Sequence, residues 1–270
     1  KLIYINIQTK LGYMSYLTKE EKQQLLFDWR YKGFTTLNLL TEEECDEIND
    51  ELERLRKERQ STKKEDGSDW GDWDPFAYPH KNSKIIQKYF SHPKIIEIAE
   101  FIMGGKIKGT QSWAYFKPPG QLGRDMHQNV FYTGCGVNQV INSAIALDNH
   151  DEENGAVWCY EGSHRLGLLP IEVDEERTKT NPKFWRNERG KACVMPEGHS
   201  FPKSDGSMKK GQVSILHSHV VHGSETNNSD RFRRNLLGGY LLDGASFNQG
   251  GHMKRELIDI YSMKNNTWEK

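Results

Sequence analysis

The chain has 270 residues, of which 28% are charged, and 37 Lys+Arg against 38 Asp+Glu leave a formal net charge of -1. That length suits one large domain or two small ones with a sizeable core. The balanced, interleaved charge offers no strong field to nucleic acid or to an anionic membrane. Cys45, Cys135, Cys159 and Cys193 are widely spaced with no CxxC pair. This argues against a disulfide framework or a structural zinc site, and for reduced thiols in a cytoplasmic protein. No apolar run approaches the roughly 20 residues that cross a bilayer. The opening "KLIYINIQTK" lacks the long apolar core and small-residue cleavage site of a secretory leader.

In chain order, "LTKEEKQQLLFDWRYKG" (17–33) predicts a helix, with Thr18 as N-cap, acids in the first turn and Gly33 as its stop. "FTTLNLL" is a short β run. "TEEECDEINDELERLRKER" opens with a capping box, Thr41 and Glu44, and its apolar positions Cys45, Ile48, Leu52 and Leu55 recur at helical spacing. The Gly-, Asp- and Trp-rich stretch 61–82 has no period and predicts a loop. Its Trp70 and Trp73 need burial, either over a core edge or in a lid above a pocket. "SHPKIIEIAEFIMGG" is another helix, ended by Gly104 and Gly105.

From 106 to about 243 the chain turns β, with strands at "GTQSWAYFK", "MHQNVFYT", "QVINSAIALD", "AVWCYEGSH", "QVSILHSH" and "RRNLLGGYLL". Many short strands in one block suggest a sandwich or barrel. The polar, Pro/Gly-punctuated stretch 167–210 predicts an excursion from it and a candidate active-site wall. The whole, 1–270, reads as a single domain, with a mostly helical flank and lid loop at 17–103, a β core at 106–243 and the 167–210 insertion.

There are ten histidines. His80, His92, His150, His164, His199 and His252 sit in loops or at element ends and read as surface or capping residues. "ILHSHVVHGSETNNSDRFRRN" differs, because His217, His219 and His222 fall within six residues, followed by Ser, Asn and Arg. A polar strand end with its imidazoles on neighbouring carbonyls would explain any one of them. Upstream, in "DMHQNVFYTG" (125–134), His127, Asn129 and Phe131 alternate and would share one strand face. A non-haem Fe(II) centre takes two imidazoles and one carboxylate on one octahedral face and leaves the other open. A strand pair at i and i+2 with a distant histidine supplies such a set.

Several segments together resemble the phytanoyl-CoA dioxygenase-like (PhyH) family of Fe(II)/2-oxoglutarate oxygenases: "GFTTLNLLTEEECDEINDELERL", "SWAYFKPPGQLG", "MHQNVFY", "ALDNHDEENGAVWCYEGSHRLG" and "HGSETNNSDRFRR". The resemblance implies a mainly β fold with flanking helices around a double-stranded β-helix, a jelly-roll of the cupin type. It implies His127 and His222 as imidazole ligands of Fe(II), with position 129 the third, and 2-oxoglutarate and O2 as co-substrates. Arg233, eleven residues after His222, would grip the distal carboxylate of 2-oxoglutarate, a task suited to a planar, permanently charged guanidinium. Ser224 is placed to add a hydroxyl there. Gln111 and Lys117 are candidates to hydrogen-bond the co-substrate, Lys117 reading equally as a strand-end charge. Arg231 and Arg234 read as surface charges. The implied reaction oxidises an unactivated C–H bond of a small organic metabolite, with release of succinate and CO2. Hydroxylation, desaturation and ring closure are alternative outcomes.

The family's acid is replaced here by Asn129, a neutral and weaker ligand. Four explanations compete: an introduced substitution that traps an inactive complex, a natural weak or water-filled third site, a halide-binding variant, for which Asn is bulky, or a carboxylate supplied by Asp125. A catalytically impaired ligand-binding pseudoenzyme is the rival function, and a metal-free cupin-like binding module a third. Trp70, Trp73, Trp113, Tyr115, Phe131 and Trp158 offer aromatic walls, while Arg124, His217 and His219 offer polar handles. That mixture suits a small polar metabolite with a hydrocarbon part. No basic groove for the phosphates of an acyl-CoA is evident, and neither nucleic acid nor membrane is an expected partner.

Overall fold

Two capping boxes start the helical flank. Helix α1 (Lys19–Tyr31) begins where the Thr18 hydroxyl accepts the Glu21 N–H and the Glu21 carboxylate accepts the Thr18 N–H. Strand β1 (Phe34–Asn38) follows, and Thr41 and Glu44 repeat the same exchange at the start of α2 (Glu42–Gln60). Each box satisfies two otherwise orphaned backbone donors. The computed structural model describes residues 16–64, 67, 71–176, 190–250 and 254–268. Helix α2 buries Cys45, Ile48, Leu52 and Leu55 on one face. At its end the buried Arg59 donates to Pro75 O (3.1 Å) and Asp74 O (2.7 Å), which fastens the following loop to the helix. Strand β2 (Phe76–Ala77) and a 3-10 turn at Pro79–Lys81 lead to α3 (Lys84–Phe90) and α4 (Pro93–Met103). Pro93 opens α4 and Gly104, at φ +80°, closes it.

The β region comprises β3 (Ile107–Lys117), β4 (Arg124–His127), one helical turn α5 (Val130–Thr133), β5 (Val140–Ala146), β6 (Val157–Cys159), β7 (Ile171–Val173), β8 (Lys191–Cys193), β9 (Gln212–His217), β10 (His222–Ser224) and β11 (Arg233–Leu242). Helix α6 (Ile260–Trp268) follows. The major sheet runs β1-β9-β5-β11-β3-β2, the minor sheet β4-β10-β6, and β7 pairs with β8. This is the mainly β, cupin-type double-stranded β-helix with flanking helices that the sequence led us to expect. Alternation sorts the major sheet into two faces. Ile141, Ile145, Val213, Ile215 and Leu236 point outward into one apolar core with Ile48 and Leu52 of α2 and Ile95 and Ile98 of α4. Thr36, Asn142, Ala144, Ser214 and Asn235 point inward, toward the minor sheet, where a cavity opens. Among the described residues no helix is long and apolar enough to cross a membrane.

Three expectations need correction. The strand predicted over "MHQNVFYT" ends at His127. The Gln128 amide takes over two backbone carbonyls, Gly167 O and His219 O, and accepts the Leu169 N–H, so the chain leaves the ladder and coils into α5. The described part of the 61–82 loop is not a lid. Trp73 packs on the outer face, against Phe116 and Phe232 with Arg56 over its ring; Trp70 lies outside the described residues. His80, His92 and His150 are buried rather than superficial. His80 stacks on Phe90 and bonds Ser112 Oγ, and His92 meets the Trp268 ring of α6, a helix that closes over this face.

Ile48 is fully buried between α2 and the sheet. Ile48→Ala should lower unfolding free energy by about 2–5 kcal/mol, measured by urea denaturation. A loss well under 1 kcal/mol would show that this contact does not anchor the flank.

Candidate functional site

Antiparallel pairing of β4 with β10 sets His127 directly opposite His222, with ring centroids 4.2 Å apart. His127 Nδ1 lies 2.8 Å from Asp125 O and His222 Nδ1 lies 2.9 Å from Val220 O. A carbonyl only accepts, so each Nδ1 carries the proton and each Nε2 keeps its lone pair. His127 Nε2 is buried and has no hydrogen-bond partner among the described residues. Burial pushes the His222 pKa down to about 4, and burial with the nearby Arg124 cation holds His127 well below the ordinary imidazole range. Both rings are therefore neutral near pH 7, in the tautomer a metal ion requires.

Asn129 reaches the same cavity from the turn after β4, with helical backbone angles, not by strand alternation. Its side chain does not cap α5; instead Nδ2 donates to Asn142 Oδ1 at 3.0 Å. Phe131, two residues on in the helical turn, is 43% exposed and points away from the cavity, contrary to the expected shared face. Asp125 does not supply a substitute acid, because its carboxylate accepts the Gly190 N–H at 2.6 Å and does not line the cavity. With an amide in third place, no cluster of three His, Cys, Asp or Glu able to hold a metal exists among the described residues. Two neutral imidazoles and one amide oxygen still fit a divalent ion such as Fe(II), more weakly than a set with a carboxylate.

Across the cavity, Arg233 of β11 stands opposite Lys117 of β3. Arg231 pairs with Asp151 and Glu153, and Arg234 with Asp148. Arg233 is buried, its Nε is unpartnered, and it makes no ion pair among the described residues. Burial lowers its pKa to about 10, so it remains charged at neutral pH. A buried cation without an acid on a cavity wall is a site for an anion. Lys117 Nζ donates to Gly155 O (3.1 Å), Ser224 Oγ (3.3 Å) and Glu225 O. Two of those acceptors are backbone carbonyls on separate loops, so Lys117 ties the loops together behind Arg233. Burial and the Arg233 charge push its pKa down to about 6. Ser224 Oγ also accepts the Arg124 N–H at 3.1 Å, which holds the hydroxyl on the cavity wall. Gly123 allows this close approach: a Cβ there would sit 1.9 Å from Ser224 O.

The cavity encloses about 190 Å³. Tyr115 lines it, as do Asn142, Asn235 and His150, which the sequence did not single out. Asn142 and Asn235 are polar residues at the inward parity of otherwise apolar strands, a signal the sequence did carry. His150 gave no such signal, because its position depends on a loop. From the 167–210 excursion, Ser204 to Met208 reach the wall. The other candidates lie elsewhere. Gln111 and Trp113 are half-buried further along β3, outside the lining. Trp158 turns outward between Tyr160 and Lys203 and donates to Glu225, while its neighbours Val157 and Cys159 face the cavity. His217 and His219 point away from it, His217 against Trp29 and His164, with its Nε2 on Asn138.

The sequence profile described as Phytanoyl-CoA dioxygenase (PhyH) matches residues 29–235. The chain is 28% identical over 167 residues to a "Probable alpha-ketoglutarate-dependent hypophosphite dioxygenase" of Stutzerimonas stutzeri, covering 62% of this chain and 56% of that protein. It is 27% identical over 238 residues to a 2-aminoethylphosphonate dioxygenase from Uncultured bacterium HF130_AEPn_1, covering 83% and 81%. The match thus spans only about half the length of the first of these relatives. Among solved structures, the non-heme alpha ketoglutarate dependent carbocyclase SnoK from nogalamycin biosynthesis superposes with a TM-score of 0.67 at 20% identity, covering 88% of both chains, which is a likeness of fold.

Burial depresses the pKa of His80 and His92 to about 4 and of His150 and His217 to about 3. The unfolded chain, with imidazoles near 6.5, binds protons first on acidification. The contribution of these four histidines should therefore be level above pH 6.5 and fall from there toward pH 4. For every pH unit that separates the folded and unfolded titration of one such group, the loss is on the order of 1.4 kcal/mol. A melting temperature unchanged between pH 7 and pH 4.5 would contradict this.

Proposed function

Because the chain belongs to the phytanoyl-CoA dioxygenase family, we propose that it is an Fe(II)- and 2-oxoglutarate-dependent oxygenase that oxidises an unactivated C–H bond of a small organic metabolite. The observation that carries this reading is the pairing of two groups across one cavity: the neutral imidazoles of His127 and His222 at one end, and at the other the buried Arg233 guanidinium with no acid beside it. His127 Nε2, His222 Nε2 and the Asn129 amide oxygen would hold the ion. When bound, Fe(II) would supply the redox chemistry that couples O2-dependent decarboxylation of 2-oxoglutarate to substrate oxidation, giving succinate and CO2.

The chain's own residues orient and neutralise. Arg233 would take the distal carboxylate of 2-oxoglutarate, and the Ser224 hydroxyl, held by Lys117 Nζ and the Arg124 N–H, would bond to the same group. Apolar Leu216 and Leu237 would keep water from the reacting end, and Thr36, Ser214 and Tyr115 would offer hydrogen bonds to substrate. A cavity of about 190 Å³ supports a small substrate, as do the relatives named for hypophosphite and 2-aminoethylphosphonate. We place the protein in the cytoplasm, acting on a free metabolite without a nucleic-acid or membrane partner. The alternative, a pseudoenzyme that binds ligand without turnover, rests on Asn129 alone.

Arg233→Ala should weaken 2-oxoglutarate binding by about 3–5 kcal/mol, roughly two to three and a half orders of magnitude, measured by titration calorimetry; unchanged affinity refutes the clamp. Asn129→Asp should raise iron occupancy and 2-oxoglutarate-dependent succinate release together, with little change in metal-free melting temperature. If neither the chain as it stands nor Asn129→Asp releases succinate, the pseudoenzyme reading replaces the oxygenase.

A further inference from the structure

An asparagine placed where a carboxylate usually binds metal has a problem the acid does not. Its two ends have the same size and shape, but one is an oxygen with lone pairs and the other an NH2 that repels a cation. Either end can face the ion unless a neighbour decides. We propose that Asn142 is that neighbour, a positioning residue that fixes the Asn129 amide with its oxygen toward the imidazoles. The proposal rests on the metal site described above.

Asn142 lies at an inward position of β5, paired with Gly239 on β11 and Leu216 on β9. Neither partner brings a polar side chain. Asn142 is buried and lines the cavity with Asn129, His127 and His222. Its Nδ2 lies toward Gly239, 3.6 Å from where a Cβ on that glycine would sit. Asn142 Oδ1 accepts Asn129 Nδ2 at 3.0 Å. The NH2 of Asn129 is thereby drawn to the major sheet. Asn129 Oδ1, on the opposite edge of the amide, makes no hydrogen bond among the described residues and does not cap α5. With an aspartate at 129 the constraint would lapse, because both carboxylate oxygens can bind metal.

The test is Co(II) binding to the metal-free chain, followed by visible absorption and calorimetry, with no turnover required. His222→Ala should abolish binding, which checks the underlying site. Asn142→Leu, or Asn142→Ala if the leucine variant does not melt cooperatively, removes the acceptor and should weaken Co(II) binding at least tenfold. Asn142→Asp retains an acceptor and should bind at least as tightly as the unmodified chain. In an Asn129→Asp background, removing the Asn142 acceptor should cost less than threefold. The inference is overturned if the Asn142→Leu or Asn142→Ala chain binds Co(II) normally, if Asn142→Asp also loses tenfold, or if the loss is equal in both backgrounds, which would make Asn142 merely structural. If neither the unmodified chain nor Asn129→Asp binds Co(II), the metal site itself fails and the inference with it.

Discussion

One backbone pairing organises the cavity. Where β10 lies against β4, His222 faces His127, and each ring sends Nδ1 back to the carbonyl two residues before it, Val220 O and Asp125 O. The strand ladder thus sets both the separation of the imidazoles and their tautomer, without help from a side chain. Two residues past His222, the same strand delivers Ser224 to the Arg124 N–H and to Lys117 Nζ. Displacing β10 by one residue would turn His222 and Ser224 out of the cavity together, because side chains alternate with period two.

Charge is the second constraint. Three arginines fall within four residues at the start of β11, and among the described residues only the inward-facing one lacks an acid. Position explains this: Arg231 and Arg234 meet Asp151, Glu153 and Asp148 at the rim, whereas Arg233 points between the sheets. A buried cation so placed favours an anion beside it. Lys117 stands next to it, held by carbonyls on two loops, its own charge disfavoured by burial and by Arg233.

At the metal end the cavity is short of negative charge. Asn129 and Asn142 are neutral amides, with Asn235 further along the wall, where one carboxylate would balance a divalent ion. Amides preserve shape, so the fold is indifferent to the exchange; the electrostatics are not. A hydrogen bond between two amides also specifies direction, which makes the third ligand depend on a residue of the opposite sheet.

Much of this was legible in the residues themselves. Capping boxes and helical spacing located α1 and α2, since both depend on contacts within four residues. The block of short strands announced a sandwich or barrel, while the resemblance to the PhyH family implied its β-helix form and the roles of Ser224 and Arg233. Position 129 does reach the cavity, but by a different geometry from the one expected. The sequence alternates like a strand through Phe131, yet Gln128 satisfies backbone groups at Gly167 and His219, 39 and 91 residues away in the chain. Sequence could not say which aromatic residues turn inward. Trp73 and Trp158 are as apolar as Tyr115, but one was claimed by the helical flank and the other by the outer side of the minor sheet. Local pattern determined elements, polarity and chemistry, because these follow from neighbouring residues. Only the tertiary structure decided which faces meet, which buried groups find partners and which side chains line the cavity, because those depend on contacts the chain makes across its whole length.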